Sequence, residues 1–206
     1  MFDAKLLPLQ RKVLSVPARV LADQGIAADH ISMVGFGFGL LILPALWLEA
    51  YPHALILLAL NRICDGLDGA VAREVGPTDR GAFLDICLDF LFYALFPLGF
   101  ALSDPATNAL PAAILIASFV GTGSSFLAFA SLAAKRGLTA ADYPQKGIYY
   151  LGGLTEGAET IAVFMLMCLF PSAFFALALI FAAACFLSTA LRWHQGWLAF
   201  SDPEHE

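Results

Sequence analysis

Long stretches without a charged residue constrain the fold of this chain more than any other feature. Residues 31–48, 105–134 and 160–191 contain no Asp, Glu, Lys or Arg. A helix needs about 20 mostly apolar residues to cross a bilayer. The third run is long enough for two crossings and is interrupted at Pro171, which predicts a turn between two spans. Only 14% of the residues are charged, against about a quarter in soluble domains. The sequence therefore predicts a membrane protein.

The apolar pattern predicts an all-α integral membrane protein of six transmembrane helices. The predicted spans are residues 31–49, 52–73, 80–103, 108–133, 147–169 and 172–192. We expect one domain over residues 1–206, with a six-helix bundle at 25–193 and a polar tail at 194–206.

The first 24 residues predict an amphipathic helix on the membrane surface. Lys5, Arg11, Lys12 and Arg19 alternate with apolar residues, which excludes a secretory signal with an uninterrupted apolar segment. We expect this interfacial helix to be broken near Pro8 or Pro17. A poorly ordered tail is the alternative.

The basic residues predict the orientation in the membrane. Ten of the 11 Lys and Arg residues lie in the termini and in the loops after spans two and four, or directly beside them; Arg62, inside span two, is the other. The positive-inside rule places these regions, and both termini, in the cytoplasm. The absence of a basic arm argues against a nucleic-acid partner.

Acidic residues inside spans two and three form the main functional signal. On a helix, positions three, four, seven and eight residues apart share one face. One such face begins at Asp65 and a second at Gly81, near the cytoplasmic ends of neighbouring spans, so the two faces are expected to meet. Their residues are Asp65, Asp68, Gly69, Ala72 and Arg73 on span two, and Gly81, Asp85 and Asp89 on span three.

Four carboxylates at one depth need compensating positive charge, because they repel one another and charge inside a span is costly. Arg73 supplies only one positive charge on this face. Two divalent cations would balance four aspartates, and oxygen ligands suit Mg²⁺ or Mn²⁺. The small residues beside them would let a nucleotide approach the helix backbone. Spacing alone leaves three readings open: metal-dependent catalysis, an ion, metal or proton transporter, and a structural ion-pair cluster.

The pattern Asp65-x-x-Asp68-Gly69-x-x-Ala72-Arg73, followed after seven residues by Gly81-x-x-x-Asp85-x-x-x-Asp89, resembles the signature of the CDP-alcohol phosphotransferases. The chain is most similar to small bacterial inner-membrane members. The resemblance implies transfer of a phosphatidyl (substituted phosphate) group from a CDP-linked donor such as CDP-diacylglycerol to an acceptor alcohol, with release of CMP.

The resemblance also implies roles for individual residues. Asp65, Asp68 and Asp85 would hold the two cations, with Asp89 as general base that also contacts a metal. The residues expected to bind CDP are Asp65, Gly69, Ala72, Arg73, Gly81 and Ser32. Where many members open the first span with Asn-x-x-Thr, this chain has Asp29 and Ser32, and we expect Asp29 to cap the helix.

Two groups of residues are candidates for binding the acceptor. Lys135, Arg136 and Lys146 could bind an anion such as glycerol phosphate, although ordinary anchoring at the cytoplasmic side is the favoured explanation. Glu156 and Glu159 share a face of span five and favour an amino or polyol acceptor, with a hydrogen-bonded structural pair as the alternative.

The small residues of "GTGSS", residues 121–125, predict close helix packing, with a homodimer interface as one use.

Overall fold

The computed structural model describes residues 3–137 and 155–201, and side chains from residue 13 onward. Every regular element in this part of the chain is helical, and each predicted span overlaps a helix. The helices are α1 (Asp3–Asp23), α2 (Ala28–Trp47), α3 (Tyr51–Val75), α4 (Asp79–Ser103), α5 (Pro105–Lys135), α6 (Gly157–Leu169) and α7 (Phe174–Ala199), with a 3₁₀ turn at Pro171–Ala173 before α7.

Among the described residues, four helical segments are long and apolar enough to cross a membrane, which agrees with the predicted all-α membrane fold. They are α2, α4, α5 and the segment Pro171–Ala199. Helix α3 is long enough but carries the charged residues of the motif, and α6 has only 13 described residues. The number of six spans, and the interfacial position of α1, therefore stay predictions.

Helix α1 is continuous, so the predicted break near Pro8 or Pro17 is wrong. A proline removes its own N–H donor but does not prevent a helix that is supported by packing. The support after Pro17 comes from Ala18, which is fully buried in a cluster with Ala70 and Val71 of α3. Arg19 also forms an ion pair with Glu74, with its Nε 3.3 Å from Oε1. The first helix is thereby joined to α3.

Helix α7 continues to Ala199, so residues 194–199 are helical and do not belong to the predicted polar tail. The last carbonyl groups of a helix lack partners within it. At the end of α7, Arg136 is the missing donor, because its guanidinium group donates to the carbonyl oxygens of Phe200 at 3.1 Å and Ala199 at 3.5 Å. This contact joins the end of α5 to the end of α7.

An aromatic cluster holds α4 between α6 and α7. The rings of Phe96 and Phe164 stack with centroids 3.8 Å apart, and those of Phe100 and Phe174 stack at 4.3 Å. Phe92 packs edge-on against Phe164. All five side chains are almost completely buried. This cluster fixes the position of the helix that carries Asp85 and Asp89.

Two glycines one turn apart bring α2 close to α3 and α4. A Cβ atom at Gly35 would lie 2.7 Å from the Cβ of Cys64, and one at Gly39 would lie 3.0 Å from the ring of Phe92. The close approach lets the buried side chain of Asn61 donate from Nδ2 to the carbonyl oxygen of Gly35 at 2.8 Å. Helices α2, α3 and α4 are thus packed tightly at the level of the aspartate motif.

The glycines of residues 121–125 pack within the chain. A Cβ atom at Gly123 would lie 2.4 Å from the ring of Phe90 on α4, and one at Gly121 would lie 3.1 Å from the hydroxyl oxygen of Thr189 on α7. Close packing is confirmed, and its partners are helices of the same protomer. The homodimer therefore stays a prediction, and these two glycines are not where its contact would form.

Candidate active site

The aspartates of α3 and α4 meet as their spacing predicted. Oxygen atoms of Asp65, Asp85 and Asp89 lie within 4.8 Å of one another. Asp68, the fourth predicted metal ligand, lies beside them and is 7% exposed. It accepts a hydrogen bond of 2.5 Å from the hydroxyl of Ser32 on α2, which is shorter than the 3.2 Å from that hydroxyl to the carbonyl oxygen of Ala28. Three helices therefore build the cluster.

A small cavity of about 20 Å³ lies between these carboxylates. A volume of 10–15 Å³ on this measure is about the least that holds one water molecule, so the cavity admits a species of that size. Its polar lining consists of Ser32, Asn61, Arg62, Asp65, Asp68, Asp85 and Asp89. Oxygen donors dominate, and four carboxylates face one guanidinium group. The donor set and the charge both fit a hard divalent cation such as Mg²⁺ or Mn²⁺.

Arg62 is a site residue that the sequence reasoning did not include. Its Nη2 donates to Asp89 Oδ1 at 3.0 Å, and its Nη1 lies 3.6 Å from Asp65 Oδ2. The signal was present in the sequence, since Arg62 precedes Asp65 by three residues and so shares its helix face. The pairing with Asp89 joins α3 to α4, which only the packing of the two helices reveals.

A larger pocket of about 250 Å³ adjoins the cluster on the side of the loop between α3 and α4. Six of the predicted CDP-binding and metal-binding residues line it: Ser32, Asp68, Gly69, Ala72, Gly81 and Asp85. Asp65 lies in the aspartate cavity instead. Arg73 stands at the edge, with Nη1 3.5 Å from where a Cβ on Gly69 would lie. The lining therefore combines glycines and alanines with charged side chains, among them Arg80.

The loop that closes this pocket is held by polar contacts. Thr78 caps α4 by accepting a hydrogen bond from the N–H of Gly81 at 3.1 Å. Asp29 does not cap α2, where Ala27 is the N-cap residue without a side-chain bond, so that prediction is wrong. Its carboxylate is instead paired with Arg80, whose Nη2 lies 2.6 Å from Oδ2. Because the Asp29 carboxylate forms this ion pair with the guanidinium group of Arg80, it does not bind the free N–H groups at the start of α2.

The predicted acceptor residues are spread over different parts of the structure. Glu156 and Glu159 form a reciprocal capping box at the start of α6, in which Glu159 accepts a hydrogen bond from the N–H of Glu156 at 3.2 Å. Lys135 lies in the last turn of α5 and Arg136 binds the end of α7. Lys146 lies outside the described residues.

Glu156 also lines a separate cavity of about 200 Å³ between α4, α5, α6 and α7. Arg192 enters the same cavity from α7, and its Nη1 donates to the carbonyl oxygen of Thr122 at 3.1 Å. Aromatic residues of α4 form another wall, including Phe90, the neighbour of Asp89 in the chain. The cavity therefore lies beside the segment of α4 that carries the aspartates.

Comparisons with known proteins agree with this geometry. The family model described as CDP-alcohol phosphatidyltransferase matches residues 26–194. The chain is 50% identical to the inner membrane protein YnjF of Escherichia coli (strain K12) over the whole length of both chains. It is 34% identical over 100 residues to the archaetidylinositol phosphate synthase of Pyrococcus horikoshii, covering 48% of this chain and 53% of that one.

Solved structures share the fold. The phosphatidylinositol phosphate synthase PgsA1 of Mycobacterium tuberculosis with CDP-DAG bound superposes with a TM-score of 0.68 at 19% identity, covering 90% of this chain and 94% of that one. The same protein in complex with manganese and citrate gives 0.66 at 20% identity, with 89% and 88% covered. The family match spans most of the residues, including the whole aspartate motif. The chain therefore belongs to the CDP-alcohol phosphatidyltransferase family.

Proposed function

We propose that this protein is a metal-dependent phosphatidyltransferase of phospholipid synthesis that takes a CDP-linked lipid, such as CDP-diacylglycerol, and an acceptor alcohol, and releases CMP. One observation carries the proposal: carboxylates from α3 and α4 converge beside a pocket whose lining includes the small residues Gly69, Ala72 and Gly81. The family match favours this reaction over transport of an ion or metal. A transporter also has no evident need for Gly69, Ala72 and Gly81 in this register.

The donor is proposed to lie with its cytidine diphosphate in the pocket of about 250 Å³. Gly69, Ala72 and Gly81 leave space for a nucleotide against the helix backbone, and Arg73 stands near enough to approach a phosphate. The neighbouring structure of PgsA1 contains CDP-DAG, which supports a donor of this class. The lipid tails would extend into the bilayer around the exposed apolar faces of the helices.

Asp65, Asp85 and Asp89, with Asp68 beside them, are proposed to hold two divalent cations, Mg²⁺ or Mn²⁺. When bound, these cations supply positive charge that offsets the charge of the transferring phosphate. The manganese complex of PgsA1 supports a cation of this class.

Asp89 is proposed as the general base. Its Oδ1 is engaged by Arg62, which leaves Oδ2 as the oxygen able to accept a proton. The acceptor hydroxyl gives its proton to Asp89 while its oxygen forms a bond to the β-phosphorus of the donor. The bond from that phosphorus to the bridging oxygen breaks, and CMP leaves with the electron pair.

The acceptor is proposed to be a neutral polyol or an amino alcohol, held in the cavity of about 200 Å³ that Glu156 and Arg192 line. Among the described residues of this cavity, one carboxylate and one guanidinium group face a mixed hydroxyl and aromatic lining. A phosphorylated acceptor would favour several cations at this position. Glu159 supports the same wall through its capping bond to Glu156.

We infer that the aspartate cluster and both termini face the cytoplasm of a bacterium with the chain in its inner membrane. The distribution of Lys and Arg supports this orientation, and the relative YnjF is named as an inner membrane protein. Cysteine labelling from either side tests it, with an introduced cysteine at Arg80→Cys for the proposed inner side and one at Ala50→Cys for the opposite side, both in a background without native cysteines.

One experiment tests the reaction and the acceptor together. Purified protein is incubated with CDP-diacylglycerol, Mg²⁺ and a panel of alcohols, and CMP and lipid products are identified by mass spectrometry. Asp89→Asn is expected to release no CMP while still binding the donor. Normal turnover by this variant would refute the general-base role. A product formed from glycerol 3-phosphate alone would refute the neutral or amino acceptor.

A further inference from the structure

The surroundings of Arg62 assign it a function in the site that the aspartate motif does not include. The Arg62 side chain is 17% exposed, and its guanidinium group contacts residues of both α3 and α4. Its Nε donates to Asn61 Oδ1 at 2.8 Å, and Asn61 in turn donates to the carbonyl oxygen of Gly35 on α2. The central carbon of the guanidinium group lies over the ring of Phe92, 4.9 Å from the ring centroid.

These contacts fix the direction of the two terminal nitrogens. Nε donates to Asn61 on α3, and the guanidinium carbon lies over Phe92 of α4, so contacts with both helices restrict rotation of the guanidinium group. Nη1 and Nη2 are left to face Asp65 and Asp89. Phe92 is completely buried in the aromatic cluster, which makes the support rigid. A lysine in this place would keep the charge but would lose the planar fork.

We propose that Arg62 is a positioning residue with two separable effects on the aspartate cluster, an inference that rests on the proposed function. Its fork holds Asp89 by one oxygen so that the other faces the acceptor, and this effect depends on guanidinium geometry. Its positive charge opposes the binding of cations by the neighbouring carboxylates, and this effect depends on charge alone. Arg62 thus raises turnover while it weakens cation binding.

Opposite changes in turnover and in cation affinity distinguish this role from simple structural support. A residue needed only for folding would lower turnover and cation affinity together when it is replaced. Removal of a positive charge within hydrogen-bonding distance of Asp89, and 3.6 Å from Asp65, should instead strengthen the attraction between the cluster and a divalent cation. Loss of a fixed orientation at the reacting group should cost turnover, on the order of 100-fold for a displacement of about 1 Å.

The test measures cation binding and catalysis separately in three variants of the full-length protein in nanodiscs. Mn²⁺ binding is followed by electron paramagnetic resonance without donor or acceptor, and CMP release is followed with CDP-diacylglycerol. For Arg62→Met we expect Mn²⁺ to bind at least about tenfold more tightly and kcat to fall about 100-fold. For Arg62→Lys we expect Mn²⁺ affinity within about threefold of the natural protein, with kcat reduced nearly as much. The KM for the donor should change little, because Arg62 does not line the nucleotide pocket.

Arg19→Met is the matched control, because it breaks an exposed ion pair with Glu74 at a distance from the cluster. It should change neither Mn²⁺ affinity nor kcat. Equal or weaker Mn²⁺ binding by folded Arg62→Met would refute the effect of charge, and full turnover by Arg62→Lys would refute the effect of the fork. Failure of the proposed function has a different signature, since the unaltered protein would then release no CMP or would release it without added cations.

Discussion

Replacing Ser32 by alanine removes one hydroxyl group that holds the buried carboxylate of Asp68. The hydroxyl donates to Asp68 Oδ2 at 2.5 Å, and Ser32 lines both the aspartate cavity and the nucleotide pocket. A hydrogen bond to a charged group contributes about 1.5–3 kcal/mol. If that stabilisation is lost from the catalytic arrangement, kcat/KM for the CDP-linked donor should fall about 10- to 150-fold, at about 1.36 kcal/mol for each factor of ten.

The assay is CMP release at saturating Mg²⁺, with two matched variants beside Ser32→Ala. Ser32→Thr keeps the hydroxyl and should keep most of the activity. Ser103→Ala also removes one hydroxyl, which donates to the carbonyl oxygen of Phe100 at 2.9 Å. It lies about 27 Å along α4 from Asp85 and should leave CMP release unchanged. If Ser32→Ala and Ser103→Ala behaved alike, the bond to Asp68 would have no catalytic value.

Three further outcomes follow from the structure. EDTA should stop CMP release and added Mg²⁺ or Mn²⁺ should restore it, whereas turnover that continues in EDTA would contradict the cation requirement. Gly99→Ala should lower the free energy of unfolding in detergent by about 1–3 kcal/mol, because the new Cβ would lie 2.8 Å from the Cβ of Leu46. Gly37→Ala, with no atom within 4 Å, should not destabilise the protein, and equal losses for both variants would contradict the packing argument. Gly81→Leu should raise the KM for the donor at least tenfold in the CMP assay, since the side chain would extend into the nucleotide pocket; an unchanged KM would place the donor elsewhere.

The aspartate cluster could be predicted from the sequence because helical spacing is a local property. Asp65 and Asp68 share a face of α3, Asp85 and Asp89 share a face of α4, and one short loop joins the two helices. The partner of Arg62 could not be predicted in the same way. Its bond to Asp89 spans 27 positions and depends on how close α3 and α4 pack.

The boundaries of α6 and α7 show where sequence reasoning was weaker. An apolar run does not show where its helix begins. The sequence therefore predicts Glu156 and Glu159 inside span five, whereas Glu156 is the N-cap residue of α6. Likewise, residues 194–199 contain polar side chains and were expected in a tail. Their helix is supported by the contact of Arg136 with its end, which no local pattern contains. Contacts of this kind form only when the helices pack together, so the sequence of one helix does not predict them.

The charges of α3 also determine how this protein can enter a membrane. If α3 spans the membrane as its sequence predicts, Arg62 lies one residue from the middle of this 25-residue helix, where a charged residue costs roughly 2.5–3.5 kcal/mol during insertion by the translocon. The compensation for Arg62 comes partly from Asp89, which is synthesised later. Helix α3 should therefore not remain stably in the bilayer until α4 has followed it. On this prediction the two helices form a single unit of membrane insertion, and a chain that ends after α3 should be a substrate for quality-control proteolysis.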